Sequence, residues 1–332
     1  MLQSFSKGEL ALNAVCPYYT MYPIDFPLNQ LSRRNDRANG WVLDPFCGRG
    51  TTNFAARLAG LNTVGIDSNP VAIATTKAKL VKTTVHDVIA AYCDVISRCR
   101  NPTLPKGRFW ELAFDATTLR DLCRLREGLL AHRDSAARAT LKAIILGALH
   151  GPINLGSPSY FSNQCSRTFA PKPEYAIRDW TKNKLRPPKV SVFEVVAKRA
   201  DWYLHESAPA TGGRAYLCDR RRIDLGQLLP EVKFEWVITA PPYYGMRTYL
   251  QDQWLRLWFL GGSENVDYSS SAKQFSHDSP ESYIQQLADV WAMTRARAAK
   301  DARLVFRIGS IGSRKADPLA LAKESLRGSG WR

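Results

Sequence analysis

The sequence contains no run of apolar residues long enough to cross a membrane. Its most apolar segment, residues 141–149, is ended by His150 and Gly151, far short of the ~20 residues that a membrane-spanning helix requires. A secretory signal has an unbroken apolar stretch after a basic start, and the first fifteen residues lack one. We therefore expect neither a membrane partner nor export.

The sequence also lacks the cysteine spacing that is typical of structural zinc sites. Its seven cysteines are scattered, and no two are separated by only two residues. This pattern argues against a structural zinc site, and no other metal is implied. Free thiols fit a reducing compartment, so we expect the protein in the cytoplasm.

Acidic residues are too few to balance the basic ones. Lysine and arginine number 46 against 30 aspartates and glutamates, which gives a formal net charge of +16. Such an excess favours a polyanionic partner, of which nucleic acid is the commonest, although an inert basic surface would carry the same charge. An apolar fraction of 45% in 332 residues predicts a folded protein of one large or two modest domains.

Two short strands, each followed by an aspartate, flank a glycine-rich turn. Residues 41–43 predict a buried strand that leads into the segment DPFCGRGTT at 44–52, and a helix follows. A second strand at 63–66 ends at Asp67, and Pro70 suits the first turn of the next helix. This order is typical of one half of a doubly wound α/β domain.

The same pattern returns in the last third of the chain. We predict strands at 215–217, 235–239 and 303–308, with a helix at 281–299 before the last of them. The predicted fold is therefore α/β with a doubly wound, mostly parallel, Rossmann-like sheet. Residues 83–151 have a helical pattern, whereas 152–190 are proline-rich and predict a long loop region.

The glycine turn indicates a particular class of ligand. Backbone N–H groups of such a turn approach a ligand closely, but Asp44 would disfavour a phosphate and favour a cationic or amino group. Asp67 stands where an acid accepts hydrogen bonds from both ribose hydroxyls. The pair suits S-adenosylmethionine better than NAD, although an ordinary turn of an α/β sheet has a similar sequence.

The segment APPYYG at 240–245 is the sharper signal. Two consecutive prolines at a strand end form a rigid corner without backbone donors, and their carbonyls are left as acceptors for an exocyclic amine. Tyr243 offers a face for stacking a base, which must be flipped out of a duplex to reach the corner. The alternative is that the prolines only end a strand and that the tyrosines belong to the core.

These segments together resemble the amino-methylating DNA methyltransferases, which modify N4 of cytosine or N6 of adenine. DPFCGRGTT is similar to the family's DPFxGxGTT cofactor segment, GIDSNP to its ribose-binding strand, and TAPPYYG to its SPPY or DPPY corner. YPIDFP at 22–27 loosely resembles a further cofactor segment, and YLCD, which ends at Asp219, resembles the segment near the cofactor's adenine. The resemblance covers residues 17–80 and 214–312.

The resemblance implies direct methyl transfer from S-adenosylmethionine without a covalent intermediate. The implied cofactor-binding residues are Phe26, Pro27, Asp44, Pro45, Phe46, Gly48, Gly50, Thr51, Thr52, Asp67, Ser68, Asn69 and Asp219. The implied catalytic residues are Ala240, Pro241, Pro242 and Tyr243. It further implies a catalytic domain of residues 1–82 and 212–332 around a mainly helical insertion of residues 83–211.

The insertion contains the expected DNA-recognition region, at about residues 152–190. Residues 167–189 hold seven basic and two acidic residues with interleaved aromatic ones, and Phe161 lies just upstream. Basic and aromatic side chains together suit phosphates and unstacked bases, although a solvated face or packing aromatics would give the same composition. The expected nucleic-acid-binding residues are Asn163, Gln164, Arg167, Lys172, Lys182, Lys184, Arg186, Tyr244 and Arg247.

Two features depart from the family pattern. Family members carry Ser, Asp or Asn before the two prolines, where this chain has Ala240, which accepts no hydrogen bond. Thr239 before it favours the SPPY version slightly, and with it cytosine. The sequence also ends at residues 331–332, where the family fold would begin its last strand pair, so either the sequence is truncated there or the sheet has an open edge that a partner covers.

Double-stranded DNA is the expected partner, and a cognate restriction or defence partner is left open. Two other functions compete with this prediction. The prolyl corner, which is the segment APPYYG at 240–245, does not distinguish ribose from deoxyribose, so the acceptor could be a base in RNA. Alternatively, the chain is a non-catalytic DNA-binding protein that keeps the fold and has lost its acceptor at Ala240.

Overall fold

The computed structural model describes residues 5–17, 22–33, 40–151, 160–163, 172–206, 208–218, 224–246, 250–268, 279–309 and 316–331. Within these ranges the strands are Trp41–Asp44 (β1), Asn62–Asp67 (β2), Gly213–Leu217 (β3), Phe234–Thr239 (β4) and Ala298–Phe306 (β5). The helices are Lys7–Ala11 (α1), Asp25–Leu31 (α2), Thr51–Leu58 (α3), Pro70–Leu80 (α4), Val85–Arg98 (α5), Arg108–Ala113 (α6), Ala116–Ala131 (α7), Ala136–Ala148 (α8), Pro173–Lys182 (α9), Val192–Leu204 (α10), Leu225–Leu228 (α11), Trp254–Phe259 (α12), Pro280–Ala296 (α13) and Pro318–Leu326 (α14). Two 3-10 turns lie at Leu12–Ala14 and Leu250–Gln253.

The strands form one parallel sheet in the order β3-β2-β1-β4-β5. The chain runs outward from β1 to β3 and then returns to place β4 on the other side of β1. The order therefore reverses between β1 and β4, and ligands of doubly wound sheets bind at the carboxyl ends of the strands beside such a switch point. This topology confirms the predicted fold class.

Two strands extend beyond their predicted bounds because of their pairing partners. β3 begins at Gly213, which pairs with Thr63 of β2. β5 begins at Ala298 instead of residue 303, since Ala298 pairs with Phe234 before an irregularity that places extra residues in β5. The helix predicted at 281–299 accordingly ends at Ala296.

The helices of residues 85–204 share a hydrophobic core with the helices that pack against the sheet. α8 packs against α4, and one apolar cluster holds Val71 and Ala78 of α4 together with Leu141 and Ile144 of α8. Thr84 and Asp87 form a capping box at the start of α5. The division into residues 1–82 with 212–332 and residues 83–211 stays a prediction, and the two parts share this apolar cluster.

The region 152–190 was predicted as a loop, and part of it is a helix. α9 begins at Pro173 and ends at Lys182, because a proline is tolerated in the first turn of a helix and only disrupts its interior. Ala176 and Trp180, four residues apart, form its buried face. Within the described residues, no helix is both long and apolar enough to cross a membrane.

Candidate functional site

Asp67 holds the glycine turn from the end of β2. Its Oδ2 atom accepts the backbone N–H of Gly48 at 3.0 Å, and its Oδ1 atom accepts the N–H of Asn69 at 2.9 Å. A carboxylate has about four acceptor positions, and these bonds use two of them. The side chain is half-buried at the carboxyl edge of the sheet.

Asp44 ends β1, but it is arranged differently. It is fully buried, and its Oδ1 atom accepts the Thr239 hydroxyl at 2.5 Å and the Phe46 N–H at 3.1 Å. Its Oδ2 atom accepts the Tyr22 hydroxyl at 3.3 Å, and that hydroxyl also contacts Thr52. The carboxylate predicted to face a cationic or amino group of the ligand is therefore covered by side chains of the protein.

Burial also changes the pKa values of Asp44 and Tyr22. It raises the pKa of Asp44 to about 6, although the hydrogen bonds from Thr239, Phe46, Thr52 and Tyr22 favour the charged form. Burial and the nearby Asp44 carboxylate raise the pKa of Tyr22 well above its ordinary value, so Tyr22 stays protonated and donates. The buried Asp44 carboxylate therefore holds several segments together at this edge of the sheet by accepting their hydrogen bonds.

The glycines of the turn provide its shape. Gly48 and Gly50 have φ angles of 49° and 72°, in the left-handed region that favours glycine. A Cβ atom on Gly50 would lie 2.6 Å from the Thr76 hydroxyl oxygen of α4, so the turn packs directly on that helix. The Thr76 hydroxyl also donates to the Gly48 carbonyl at 3.2 Å, and this hydrogen bond fixes the turn against α4.

The other predicted cofactor residues surround these two carboxylates. Those on the glycine turn and the start of α3 are buried, namely Pro45, Phe46, Thr51 and Thr52. Pro27 is buried in α2, and the half-buried Phe26 packs edge-on against Tyr22 with ring centroids 5.6 Å apart. The Asn69 side chain caps α4 by accepting the Val71 N–H, whereas Ser68 is half-buried beside Asp67. Asp219 lies outside the described residues.

The prolyl corner follows β4 directly. Pro241 is buried, and Ala240, Pro242 and Tyr243 are half-buried. The Tyr243 ring lies against Gly309 after β5, where a Cβ atom would come within 2.7 Å of its Cε2 atom. The Pro242 carbonyl accepts the Tyr283 hydroxyl at 2.6 Å, so one of the two carbonyls predicted as acceptors already has a partner.

Sequence reasoning did not assign a role to Tyr22, Thr239 or Tyr283. Tyr22 stands in the quoted segment YPIDFP, and Thr239 directly precedes Ala240, so both were close to a recognised pattern. Tyr283 lies on α13, in a stretch without a motif, and it is fully buried. Tyr283 contacts the corner through its hydrogen bond to Pro242 and its ring contact with Tyr244, and neither contact has a local sequence signal.

Two of the predicted nucleic-acid-binding residues lie in the core. Tyr244 is 9% exposed and packs against Tyr283 with ring centroids 5.5 Å apart. Asn163 is 7% exposed, and its side chain donates to the Leu112 carbonyl at 3.3 Å. Their burial and internal contacts give no support to a nucleic-acid contact, and the two assignments stay predictions. Gln164, Arg167 and Arg247 lie outside the described residues.

The basic residues around α9 are on the surface. The exposed ones are Lys172, Arg178, Lys182, Lys184, Arg186 and Lys189. Tyr175 is also exposed, but Trp180 and Phe161 are fully buried, and Trp180 packs on Phe109 at 5.6 Å between ring centroids. The exposed side chains of this surface are therefore mainly basic, because two of the aromatic residues expected to stack on bases belong to the core.

The comparisons with known proteins concern the same segments. Residues 20–78 match the N6/N4 methyltransferase family model, which is described as DNA methylase. No curated protein matches the chain. The rRNA methyltransferase aviRa from Streptomyces viridochromogenes is a similar solved structure at 14% identity, with a TM-score of 0.35 over 95% of this chain and 88% of that chain. A second structure of aviRa has 14% identity and a TM-score of 0.36 over 93% and 84% of the two chains.

The family match spans α2, β1, α3, β2 and most of α4. It thus includes the glycine turn and both strand-end aspartates, and it lies on the elements that form the switch point of the sheet. The segment of residues 20–78 is therefore similar to the amino-group DNA methyltransferase family over the glycine turn and both strand-end aspartates.

Proposed function

We propose that the chain transfers a methyl group from S-adenosylmethionine to an exocyclic amino nitrogen of a base in double-stranded DNA. The observation that carries the proposal is the placement of two structures on one sheet edge. The glycine turn follows β1, and Asp67 ends the neighbouring β2. The prolyl corner follows β4, which pairs with β1 on its other side. A methyl donor and an amine bound at these two places would meet at the switch point.

The residues at this edge fit the proposed cofactor in one respect in particular. Asp67 has two acceptor positions beyond its bonds to the turn, which suits two ribose hydroxyls. When bound, the cofactor would supply an electrophilic methyl group on a positively charged sulfur. Asp44 fits a direct contact less well, because Tyr22 covers it, so we assign Asp44 to the support of the turn.

The prolyl corner would bind the target amine. A carbonyl that accepts one amine N–H leaves the nitrogen lone pair directed away from the carbonyl, toward the methyl donor. Holding the two reacting groups in line is the main source of rate in such a transfer, and proximity of this kind contributes ~7–11 kcal/mol. Thr239 before Ala240 slightly favours the cytosine-type corner, so N4 of cytosine is the preferred acceptor and N6 of adenine the alternative.

The exposed basic residues around α9 support a nucleic-acid substrate. Lys182, Lys184 and Arg186 are all exposed within five residues of chain, and cationic side chains bind phosphates by releasing counterions. A restriction or defence partner that cuts unmodified DNA would be consistent with a site-specific modification activity.

The test uses S-adenosylmethionine with a radioactive methyl group. Parent protein is incubated with genomic DNA from a host without DNA methylation, and in parallel with total RNA from the same host. Incorporation into DNA as N4-methylcytosine or N6-methyladenine supports the proposal. Incorporation into RNA alone identifies an RNA methyltransferase, and DNA binding without incorporation into either identifies the non-catalytic alternative.

A further inference from the structure

The prolyl corner has few means of holding its own position. Pro241 and Pro242 have no N–H groups, so they donate nothing to neighbouring segments. Ala240 has no polar side-chain atom. The position of the corner relative to the glycine turn must therefore come from packing and from donors on other elements.

One such donor comes from α13. The Tyr283 hydroxyl donates to the Pro242 carbonyl at 2.6 Å. Tyr283 is fully buried in an apolar cluster with Tyr244, Leu287 and Trp291, so its ring is fixed by packing and its hydroxyl is held at the corner. Burial raises the pKa of Tyr283 above its ordinary value, which keeps the hydroxyl protonated as a donor.

A second hydroxyl acts on the other side of the corner. Thr239 is the last residue of β4 and is fully buried, and its side chain donates to Asp44 at 2.5 Å. Asp44 also accepts the N–H of Phe46 in the glycine turn. The Thr239 hydroxyl therefore connects the strand that carries the corner to the turn that belongs to the cofactor segment.

We propose that Thr239 and Tyr283 are positioning residues for methyl transfer, whose hydroxyl groups fix the two ends of the prolyl corner relative to the glycine turn. This inference rests on the proposed function, because it concerns the same corner.

The first arm of the test measures the reaction in one turnover. Thr239→Val and Tyr283→Phe each remove a hydroxyl with little change in shape. A small displacement of a reacting group costs up to about a hundredfold in rate, so each variant should slow transfer to unmethylated genomic DNA by roughly ten- to a hundredfold. Calorimetric affinity for S-adenosylmethionine should stay at the parental value, and Thr239→Ser should restore most of the rate.

The second arm measures how well the prolyl corner is held in place, and it requires no methyl transfer. Hydrogen exchange is followed at the amides of residues 243–246, where the Met246 N–H donates to the Tyr243 carbonyl at 2.8 Å. Tyr283→Phe should speed exchange there, because the corner loses its bond to α13. Matched controls are Tyr203→Phe and Thr140→Val, which remove buried hydroxyls bonded to the carbonyls of Ala14 and Ala136. Both controls should keep parental transfer rates and parental exchange at the corner.

The outcomes separate this proposal from the function on which it rests. A parent protein that methylates neither DNA nor RNA overturns the proposed function, and exchange at residues 243–246 still decides whether Tyr283 holds the corner. A parent that methylates DNA, with Tyr283→Phe and Thr239→Val at parental rates, overturns the positioning role alone. If Tyr283→Phe does not fold, the Thr239→Val and Thr239→Ser pair decides by the same comparison.

Discussion

Asp44 and Asp67 hold the same glycine turn from two neighbouring strands. Asp44 at the end of β1 accepts the N–H of Phe46, and Asp67 at the end of β2 accepts the N–H of Gly48. The two carboxylates differ in exposure, because Asp44 is fully buried and Asp67 is half-buried. The turn is thus supported by both, and of these two carboxylates only Asp67 is partly exposed.

Replacing Asp67 with alanine should weaken the binding of S-adenosylmethionine. A hydrogen bond to a charged group contributes ~1.5–3 kcal/mol, and this is the expected loss if Asp67 accepts from the ribose. Calorimetry gives the dissociation constant directly. Asp115→Ala is a matched control, since Asp115 also accepts a backbone N–H, that of Thr117 at the start of α7. An unchanged constant for Asp67→Ala, with the fold intact, would contradict the assignment.

Asp44 should make stability depend on pH in a defined window. Its pKa is about 6 in the folded protein against 3.8 for the ordinary group, so the folded state binds its proton more tightly than the unfolded state. The stability that this group contributes is present below pH ~3.8 and is lost as the pH rises through ~6. The expected loss is up to about 3 kcal/mol, at ~1.4 kcal/mol per pKa unit.

Asp44→Asn removes this titration and keeps a side chain of the same shape. The free energy of unfolding is measured by denaturant titration at several pH values between 4 and 7, for the parent and the variant. Other groups contribute equally to both proteins, so the difference between them should shift in favour of the asparagine variant as the pH rises. A difference that does not change with pH would show that the pKa of Asp44 is not raised in the folded protein.

The basic residues after α9 should determine the salt dependence of DNA binding. Each phosphate contact contributes about one unit to the slope of log affinity against log salt concentration, so the combined change of Lys182, Lys184 and Arg186 to alanine should reduce the slope by up to about 3 units. Affinity for S-adenosylmethionine should not change. A control variant removes the same charge from exposed positions of other helices and loops, namely Lys106, Arg120 and Arg133. Equal slopes for the two triple variants would show that the α9 surface has no special part in binding.

Ala240 should limit turnover. The Ser, Asp or Asn of family corners accepts from the amine, and loss of one oriented hydrogen bond in a transition state costs roughly ten- to a thousandfold in rate. Ala240→Ser should therefore raise the single-turnover rate and leave both binding constants nearly unchanged. Ala240→Val adds bulk without an acceptor, so it should not raise the rate. Equal rates for the parent and Ala240→Ser would mean that residue 240 does not face the amine.

The elements that were predictable from the sequence are those determined by local patterns. The apolar runs before Asp44 and Asp67 indicated strands, and Asn69-Pro70 and Ser135 indicated helix starts; the structure confirms all of them. Each of these signals lies within a few residues of the feature it predicts. The parallel order then followed from the alternation of strands and helices.

The parts that were not predictable depend on contacts between distant residues. Prolines between 171 and 188 concealed α9, because they flank the helix and occupy its first turn without interrupting it. Trp180 looked like a stacking residue among basic ones, yet it lies on the buried face of that helix. Tyr283 and Pro242 are 41 residues apart, and the cover that Tyr22 gives Asp44 has no local signature.

The apolar contact between α4 and α8 limits which parts of this chain could be exchanged with those of another protein. Val71 and Ala78 of α4 lie in the same cluster as Leu141 and Ile144 of α8, so exchanging the whole helical part for that of another enzyme would expose a core face. The exposed segment from Lys182 to Lys189 has no such constraint. Substitution at this surface is therefore open to this architecture, whereas exchange of the intact helical part is not.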